Sequence, residues 1–355
     1  MDKINVAVIG CGWAGREHLA EVVSFPEVGK VIGVDVSADA LKACSERFGI
    51  STTQDVDSVA GDPDIGAVFI AAANHVHSSL SIACMEQGKH VMCEKPMALE
   101  REECVKMVET AQEKGVVLHV GFEMRMMPFA LRTKEIIESG EIGDPVSFQR
   151  IHYRGPFRPD WKRRREDGGS MFLMETCHCI DLFRFWAGKS DEIERVFSAA
   201  PPNVFPDYEY PDTDFTTYWF KSGAVGHSMT SQARSAEPGP GEHGNVYTGP
   251  FGHQTNMSVT ATKGSVHTNT HDGAELHVMN HEKAGDSIVC RLNRTEALRL
   301  PGGGGHFFRE QDHQFIQAAL GIVPGTYLDP EDACTSHLVC FAADESQRTN
   351  RIVEI

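Results

Sequence analysis

The chain has no apolar run approaching the roughly 18–20 residues needed to cross a bilayer, which excludes a helical membrane span. Basic residues are scarce beside acidic ones, 33 against 50, a formal net charge of −17 over 355 residues. A field of that sign repels phosphate backbones and anionic lipid headgroups, so neither nucleic acid nor a membrane surface is expected as a partner. None of the ten cysteines forms a CxxC pair, and most lie in apolar segments, as reduced, buried thiols do. The first strand-like run starts within a few residues of Met1 and leaves no room for a secretion signal, so a cytoplasmic protein is expected. Cys177-His178-Cys179 is not read as a metal centre, because successive helical residues diverge by about 100° and cannot converge on one ion. His267, His271, His277 and His281 are irregularly spaced and read as a solvated polar face, so no metal is expected. There is no internal repeat.

What is present begins with Ile4-Asn5-Val6-Ala7-Val8-Ile9, an apolar run leading straight into Gly10-Cys11-Gly12-Trp13-Ala14-Gly15. A GxGxxG turn at the end of a buried strand and the start of a helix, here Arg16 to Val23, is built to receive a dinucleotide. The first glycine allows the tight turn, the second lets backbone approach the pyrophosphate, and the third lets the helix lie close to the strand. A second apolar run, Val31 to Val34, ends at Asp35, about twenty residues past Gly15, where a carboxylate would hold the ribose diol. That carboxylate repels a 2′-phosphate, and Val36-Ser37 offers no arginine to offset it, so NAD is expected rather than NADP.

The pattern to about residue 126 alternates short β-branched runs with helical periodicity. After Val31 to Asp35 come a helix Ala38 to Phe48, Ala67 to Ala71, a helix Val76 to Gln87, His90 to Cys93, a helix Glu100 to Glu113, and Val116 to Val120. This order predicts a doubly wound parallel sheet of the α/β Rossmann type over residues 1–126. Near Pro128 the pattern changes. After a helix Phe129 to Ser139, strands follow at Val146 to Arg154, Phe215 to Phe220, Gly226 to Ser231, Met257 to Thr262 and Ser265 to Thr268, then helices at Phe307 to Leu320 and Pro330 to Gln347, and a last strand Arg351 to Ile355. Residues 127–355 are therefore expected to form an α+β domain on a large, open, mostly antiparallel sheet. Loops are expected at Pro201 to Asp214 and Ser235 to Thr255, the latter disordered and partly ordered by ligand.

After the fourth strand-like run of the first domain comes Glu94-Lys95-Pro96, at the sheet edge where open α/β folds bind ligands. An ammonium in a dry cleft donates to a carbinol or carbonyl oxygen and stabilises developing alkoxide; the plainer reading of Lys95 is a solvated surface lysine. In the second domain Gly168-Gly169-Ser170 opens a helix with Ser170 as N-cap and His178 two turns along. Glu175 at i−3 and Asp181 at i+3 would flank the imidazole, the layout of a base with its orienting group; a packed histidine is the alternative. Tyr153 to Pro156 and Trp161 to Arg165 form a basic, aromatic stretch in which Trp161 could stack on a sugar ring and Arg165 reach its hydroxyls. A solvated charge run beside one core tryptophan is the competing account.

These residues in this order resemble the Gfo/Idh/MocA oxidoreductase family over almost the whole chain. The resemblance rests on GCGWAG at 10–15, Asp35, AANHVH at 72–77, GKHVMCEKP at 88–96, GFEMR at 121–125, ESGEIGDP at 138–145 and GGSMFLMETCHCID at 168–181. It implies that Lys95 and His178 are the catalytic lysine and histidine, and that Ala72, Asn74 and His77 line the cofactor cleft with Glu94. Arg125 could hold a substrate hydroxyl or a cofactor group, or form a structural salt bridge. Where many members have aspartate four residues before the histidine this chain has Met174, with Glu175 displaced by one, and position 123 is Glu where Asn is frequent. The implied activity is NAD-dependent hydride transfer from a secondary alcohol of a sugar, glycoside or cyclitol, in a homodimer or homotetramer joined through the open sheet face. Two alternatives share the motifs: a glycosidase that retains its NAD, and a sensor that binds dinucleotide without catalysis.

Overall fold

The computed structural model describes residues 3–157, 160–233, 237–238, 247–248, 254–268, 275–298 and 307–355. The chain forms two compact units. The first comprises Met1–Glu123, Glu166–Gly168 and Phe307–His337, and the second Met124–Arg165, Gly169–His306 and Leu338–Ile355.

The first unit is built on β1 (Ile4–Ile9), α1 (Trp13–Val22), β2 (Val28–Val34), α2 (Ala38–Phe48), β3 (Ser51–Thr53), α3 (Val56–Gly61), β4 (Ile65–Ile70), α4 (His77–Glu86), β5 (His90–Cys93), α5 (Arg101–Lys114) and β6 (Leu118–Val120). Its six strands run parallel in the order β3-β2-β1-β4-β5-β6. The order reverses between β1 and β4, and ligand crevices in such sheets open at the carboxyl ends of those strands. Both central strands are apolar almost throughout because helices cover both faces. The expected doubly wound parallel sheet is present. β3 and α3 were not expected: three half-exposed residues carry too little periodicity to be read as a strand. The strand before Glu94 is consequently the fifth, not the fourth.

The second unit begins with α6 (Pro128–Glu138) and β7 (Pro145–Tyr153), followed by the short α7 (Arg165–Gly168), α8 (Cys177–Ala187), β8 (Ile193–Ala199), β9 (Thr213–Phe220), β10 (Val225–Ser231), β11 (Glu237–Pro238), β12 (Tyr247–Thr248), β13 (Gln254–Ala261), β14 (Gly264–Thr268), β15 (Glu275–Ala284) and β16 (Ser287–Ala297). Two later helices, α9 (Phe308–Ala319) and α10 (Pro330–Thr349), precede β17 (Val353–Glu354). The sheet has nine strands in the order β16-β15-β14-β13-β7-β10-β9-β8-β17, antiparallel except where β7 and β10 run parallel. Its open, mostly antiparallel character is as the sequence indicates. β8, β15 and β16 were not expected. β16 has no buried residue although Ile288, Cys290 and Leu292 alternate along it, and it pairs with β15 through the backbone ladder and through His277–Thr295 and Arg291–Glu282 side-chain contacts. Most of the 235–255 segment lies outside the described residues.

Phe148 on β7, Phe183 and Trp186 on α8, and Phe220 and Tyr218 on β9 form the aromatic layer between helix and sheet, with Phe183 5.6 Å from Phe148 and 6.1 Å from Tyr218. A Cβ at Gly226 would stand 3.0 Å from the Phe183 ring, so the strand beneath that ring has to be bare. This packing fixes α8 five residues beyond His178. In the first unit α9 puts Phe315 and Ile316 into the cluster formed by Val6, Val8, Leu19, Val22 and Phe69. The segment Phe307–His337, expected in the second domain, thus belongs with the first.

Candidate active site

The first unit supplies a dinucleotide cradle. At Gly10 the backbone takes φ +97°, and a Cβ there would meet the Ala71 carbonyl oxygen at 2.4 Å. A Cβ on Gly15 would lie 1.7 Å from the Gly10 oxygen, so the first turn of α1 rests directly on the end of β1. Around a Cβ at Gly12 there is nothing within 4 Å. The three glycines thus serve a turn, an open approach and a close packing contact, in that order. Gly12 is the N-cap of α1, no side chain caps it, and no acidic residue stands in the first turn, so the positive end of the helix dipole is left to an anion. Asp35 follows β2, its Oδ2 accepting the Cys11 N–H at 2.7 Å and its Oδ1 the Ser37 N–H at 2.8 Å. The carboxylate is therefore fixed beside the glycine turn with lone pairs remaining for a diol. Trp13 is 37% exposed at the same turn, its ring centre 5.7 Å from that of Phe308 in an edge-to-face contact. These groups fit NAD: pyrophosphate against α1, ribose at Asp35.

The Glu94-Lys95-Pro96 segment leaves β5 at the same sheet edge. Glu94 Oε1 is 3.2 Å from His18 Nε2, and His18 Nδ1 is 2.8 Å from Asp312 Oδ2. His18 is fully buried on α1, and burial opposes its charge, but Asp312 and Glu94 outweigh it and raise its pKa to about 10. Burial pushes Asp312 up to about 6, and the pairing with His18 opposes that rise. Glu94 is thereby committed to anchoring the segment on α1 and α9. Pro96 O lies 2.8 Å from His77 Nδ1, and Ala72 O 3.1 Å from His77 Nε2. Asn74 donates from Nδ2 to Gly168 O at 3.3 Å. Lys95 itself is half-buried. Gly10 to Gly15, Asp35, Ala72, Asn74, His77, Glu94 and Lys95 all belong to this unit.

In the second unit Ser170 Oγ accepts the Leu173 N–H at 3.4 Å, as an N-cap does. The helix that follows does not start as an α-helix. Phe172–Thr176 is a π-turn, closed by the Cys177 N–H reaching back five residues to Phe172 O, and His178 is the second residue of α8. The wider turn changes the face that Glu175 shares, while Asp181, on the same α-helix as His178, is engaged by Arg125 instead. Met174, standing where the family resemblance puts aspartate, packs with Phe157, Met171, Tyr208 and Tyr210. Glu175 faces β7, where it pairs with Arg154, lies 3.2 Å from His152 Nε2 and 3.6 Å from Arg150 Nη2. Asp181 takes the guanidinium of Arg125 on both oxygens, at 2.6 and 2.7 Å, with both side chains buried. Of the readings open for Arg125, this is the structural salt bridge.

Trp161 is half-buried on a 3-10 turn, Asp160–Arg163, with Lys162 5.4 Å from its ring centre. Arg165 donates from Nη1 to both Asp344 oxygens at 3.2 Å and from its backbone to Glu209, while Arg163 pairs with Asp207. Arg163 and Arg165 are therefore answered by carboxylates of their own unit, and Trp161 is not a core residue.

Sequence reading missed His18, Asp312, Arg150 and His152. The first had a visible signal, a histidine one helical turn past Gly15. Arg150 and His152 on β7 and Arg154 just past its end alternate along the chain and are only 1%, 1% and 8% exposed, which is legible only once Glu175 is known to face them.

Residues 4–122 match the oxidoreductase family described as having an NAD-binding Rossmann fold, and residues 130–267 match the C-terminal domain of the same family. The chain belongs to the Gfo/Idh/MocA oxidoreductase family. Its first unit is an NAD-binding domain. Among its relatives is levoglucosan dehydrogenase of Pseudarthrobacter phenanthrenivorans, 33% identical over 57% of this chain and 56% of that protein. Another is scyllo-inositol 2-dehydrogenase (NAD(+)) of Bacillus subtilis, 30% identical over 84% of each. The solved levoglucosan dehydrogenase with NADH and L-sorbose shares the fold at a TM-score of 0.84 and 24% identity, over 100% of this chain and 99% of that one. These relatives are named dehydrogenases, which gives no support to the NAD-retaining glycosidase.

Three outcomes follow from the geometry. Gly12→Ala keeps the melting temperature within about 2 °C but weakens NADH binding at least about tenfold in a fluorescence titration, whereas Gly15→Ala unfolds at lower temperature because a Cβ meets backbone. Arg125→Met lowers stability in urea by about 3–5 kcal/mol by stranding the buried Asp181 charge. The His18 pKa lies above its unfolded value of 6.5, so its contribution is complete below that pH and disappears as pH rises through about 10. Between pH 7 and 10 the wild type should lose stability relative to His18→Gln with a slope of up to about 1.4 kcal/mol per pH unit; parallel curves would remove the assignment.

Proposed function

We propose that this chain is an NAD-dependent dehydrogenase that oxidises a secondary alcohol of a sugar, glycoside or cyclitol. The observation that carries the reading is the Lys95 segment, anchored by buried side chains at the carboxyl edge of an NAD-binding sheet, where an unattached surface lysine would have no such support. NAD, when bound, supplies the acceptor for a hydride. The Lys95 ammonium donates to the alcohol oxygen and offsets the charge that develops on it. His178 accepts the hydroxyl proton, so that as the C–H bond breaks the C–O bond becomes a carbonyl and one proton remains on the imidazole. Glu175 and Asp181 act as positioning residues, tying the turn before His178 to β7 and the helix after it to Arg125. Trp161 offers an aromatic face to the sugar ring, while Arg125 and Arg165, already paired, make no direct contact in this scheme. Ala72, Asn74 and His77 border the cofactor cleft. An acid and base would serve no purpose in a sensor that only binds dinucleotide, which favours the enzyme.

The relatives' names support the substrate class. Among the described residues no helix is long and apolar enough to cross a membrane. With the acidic composition this supports a cytoplasmic enzyme with no nucleic acid or membrane partner. Exposed Ile288 and Leu292 on β16 support assembly as a homodimer or homotetramer.

The test is NADH formation from myo-inositol, scyllo-inositol, levoglucosan and hexoses, with NAD and NADP in parallel. Oxidation of at least one, with NAD preferred about tenfold or more, is expected. Lys95→Ala should lower kcat by at least about 100-fold while NADH affinity stays within about threefold. An unchanged kcat in that variant would count against the mechanism, and equal rates with NADP against the reading of Asp35.

A further inference from the structure

Pro96 C=O and Met97 N–H are the two polar ends of a single peptide plane, and each is held by a different buried histidine. From α4, His77 Nδ1 meets the oxygen at 2.8 Å. From α10, His337 Nε2 accepts the N–H at 3.0 Å, across 240 residues of sequence. His337 is fully buried and donates from Nδ1 to Ala333 O, one turn back on its own helix, at 2.8 Å. That bond settles the tautomer and leaves Nε2 as an acceptor. The Phe122 ring, 5.3 Å away, packs on the imidazole. Burial pushes the His337 pKa down to about 4, and Lys95 and His77 act in the same direction, so the ring stays neutral at any pH near 7.

A peptide group is planar, so fixing its oxygen and its hydrogen fixes its orientation. The proline ring then restricts φ on the other side of the plane, and the next residue back is Lys95. Neutrality matters as well as geometry. A protonated ring here could not accept the Met97 N–H and would place a second cation near the Lys95 ammonium, and a lysine or arginine in its place would fail in the same two ways.

We propose that His337 is a positioning residue for Lys95: with His77 it clamps the Pro96–Met97 peptide plane and so fixes where the ammonium is delivered. This rests on Lys95 having the role given above. The residue comes from the far end of the chain, outside the Glu94-Lys95-Pro96 motif. The clamp is independent of which sugar is oxidised.

The test uses full-length enzyme saturated with NADH, reductively methylated with 13C-formaldehyde, the Lys95 resonance being identified by its loss in Lys95→Arg. His337→Met keeps the bulk and removes the strong acceptor; His337→Gln returns an acceptor close to the Nε2 position. In H337M the Lys95 resonance should move to the position of exposed lysines, and kcat for the best substrate of the panel should fall about ten- to a hundredfold, with KM and NADH affinity within about threefold. H337Q should restore both to within about threefold. An unmoved Lys95 resonance in folded H337M, or H337Q no better than H337M, overturns the proposal. If H337M shifts the resonance while Lys95→Ala leaves turnover intact, the clamp stands and the catalytic reading of Lys95 falls. Should H337M fail to fold, 15N-histidine spectra of the unaltered protein decide: His337 Nε2 is expected to remain unprotonated from pH 5 to 9, and titration within that range overturns the proposal.

Discussion

The first unit depends on a single steric contact, that of the α1 backbone at Gly15 with the carbonyl oxygen of Gly10, which leaves no room for even a methyl group. Because the helix is seated so closely, its N-terminus opens directly onto the crevice between β1 and β4, and its dipole needs no side-chain cap to make an anion site. The same seating carries His18, one turn on, into the interior where no water reaches it. A histidine at that depth retains a proton only because Asp312 and Glu94 converge on it. Cofactor binding and the anchoring of the lysine segment are thus two results of one close approach between helix and strand.

How legible this was in the sequence varied with the range of the interaction involved. The glycine turn, Asp35 and Lys95 lie at fixed distances from strands whose apolar runs are unmistakable, and the parallel sheet follows from their order. Local rules stop there. His18 reads as an ordinary helical histidine until α9 brings Asp312 to it, from 294 residues away. β16 carries a short alternation at Ile288, Cys290 and Leu292 that the sequence reading passed over, and none of its residues is buried. Assignment of Phe307–His337 to the first unit depends on Phe315 and Ile316 packing with β1 and α1, a fact of tertiary structure alone.

The second unit shows a different limit. Counting helical spacing from His178 placed Glu175 and Asp181 as its neighbours, which assumes an unbroken α-helix. The π-turn at Phe172–Thr176 removes that assumption for Glu175, which turns to the cations beside it on and just past β7; Asp181 shares α8 with His178, and its oxygens are taken by Arg125. Buried charge here is answered locally. Arg150 and Arg154 lie near Glu175, and Asp214, raised to about 7 by burial, accepts hydroxyls from Thr216 and Thr176. Such networks hold elements in register as much as they add stability. Met174 completes the picture, since an apolar pocket of Phe157, Met171 and two tyrosines is no place for the carboxylate it replaces.

The parallel pairing of β7 with β10 in an otherwise antiparallel sheet has a consequence for the path of the chain. Parallel neighbours cannot be joined by a hairpin, so the chain must leave β7, cross over and return, and α8 lies within that excursion. The helix bearing His178 is therefore bracketed in sequence by the strands at the middle of the sheet. The run from β13 to β16, by contrast, is a meander appended at one margin, each strand paired with the one before it. Within it only β13 is hydrogen-bonded to the crossover, along β7, while β15 and β16 lie two and three strands further out. The sheet thus has a crossover at its middle, carrying the His178 helix, and a margin of strands joined one to the next.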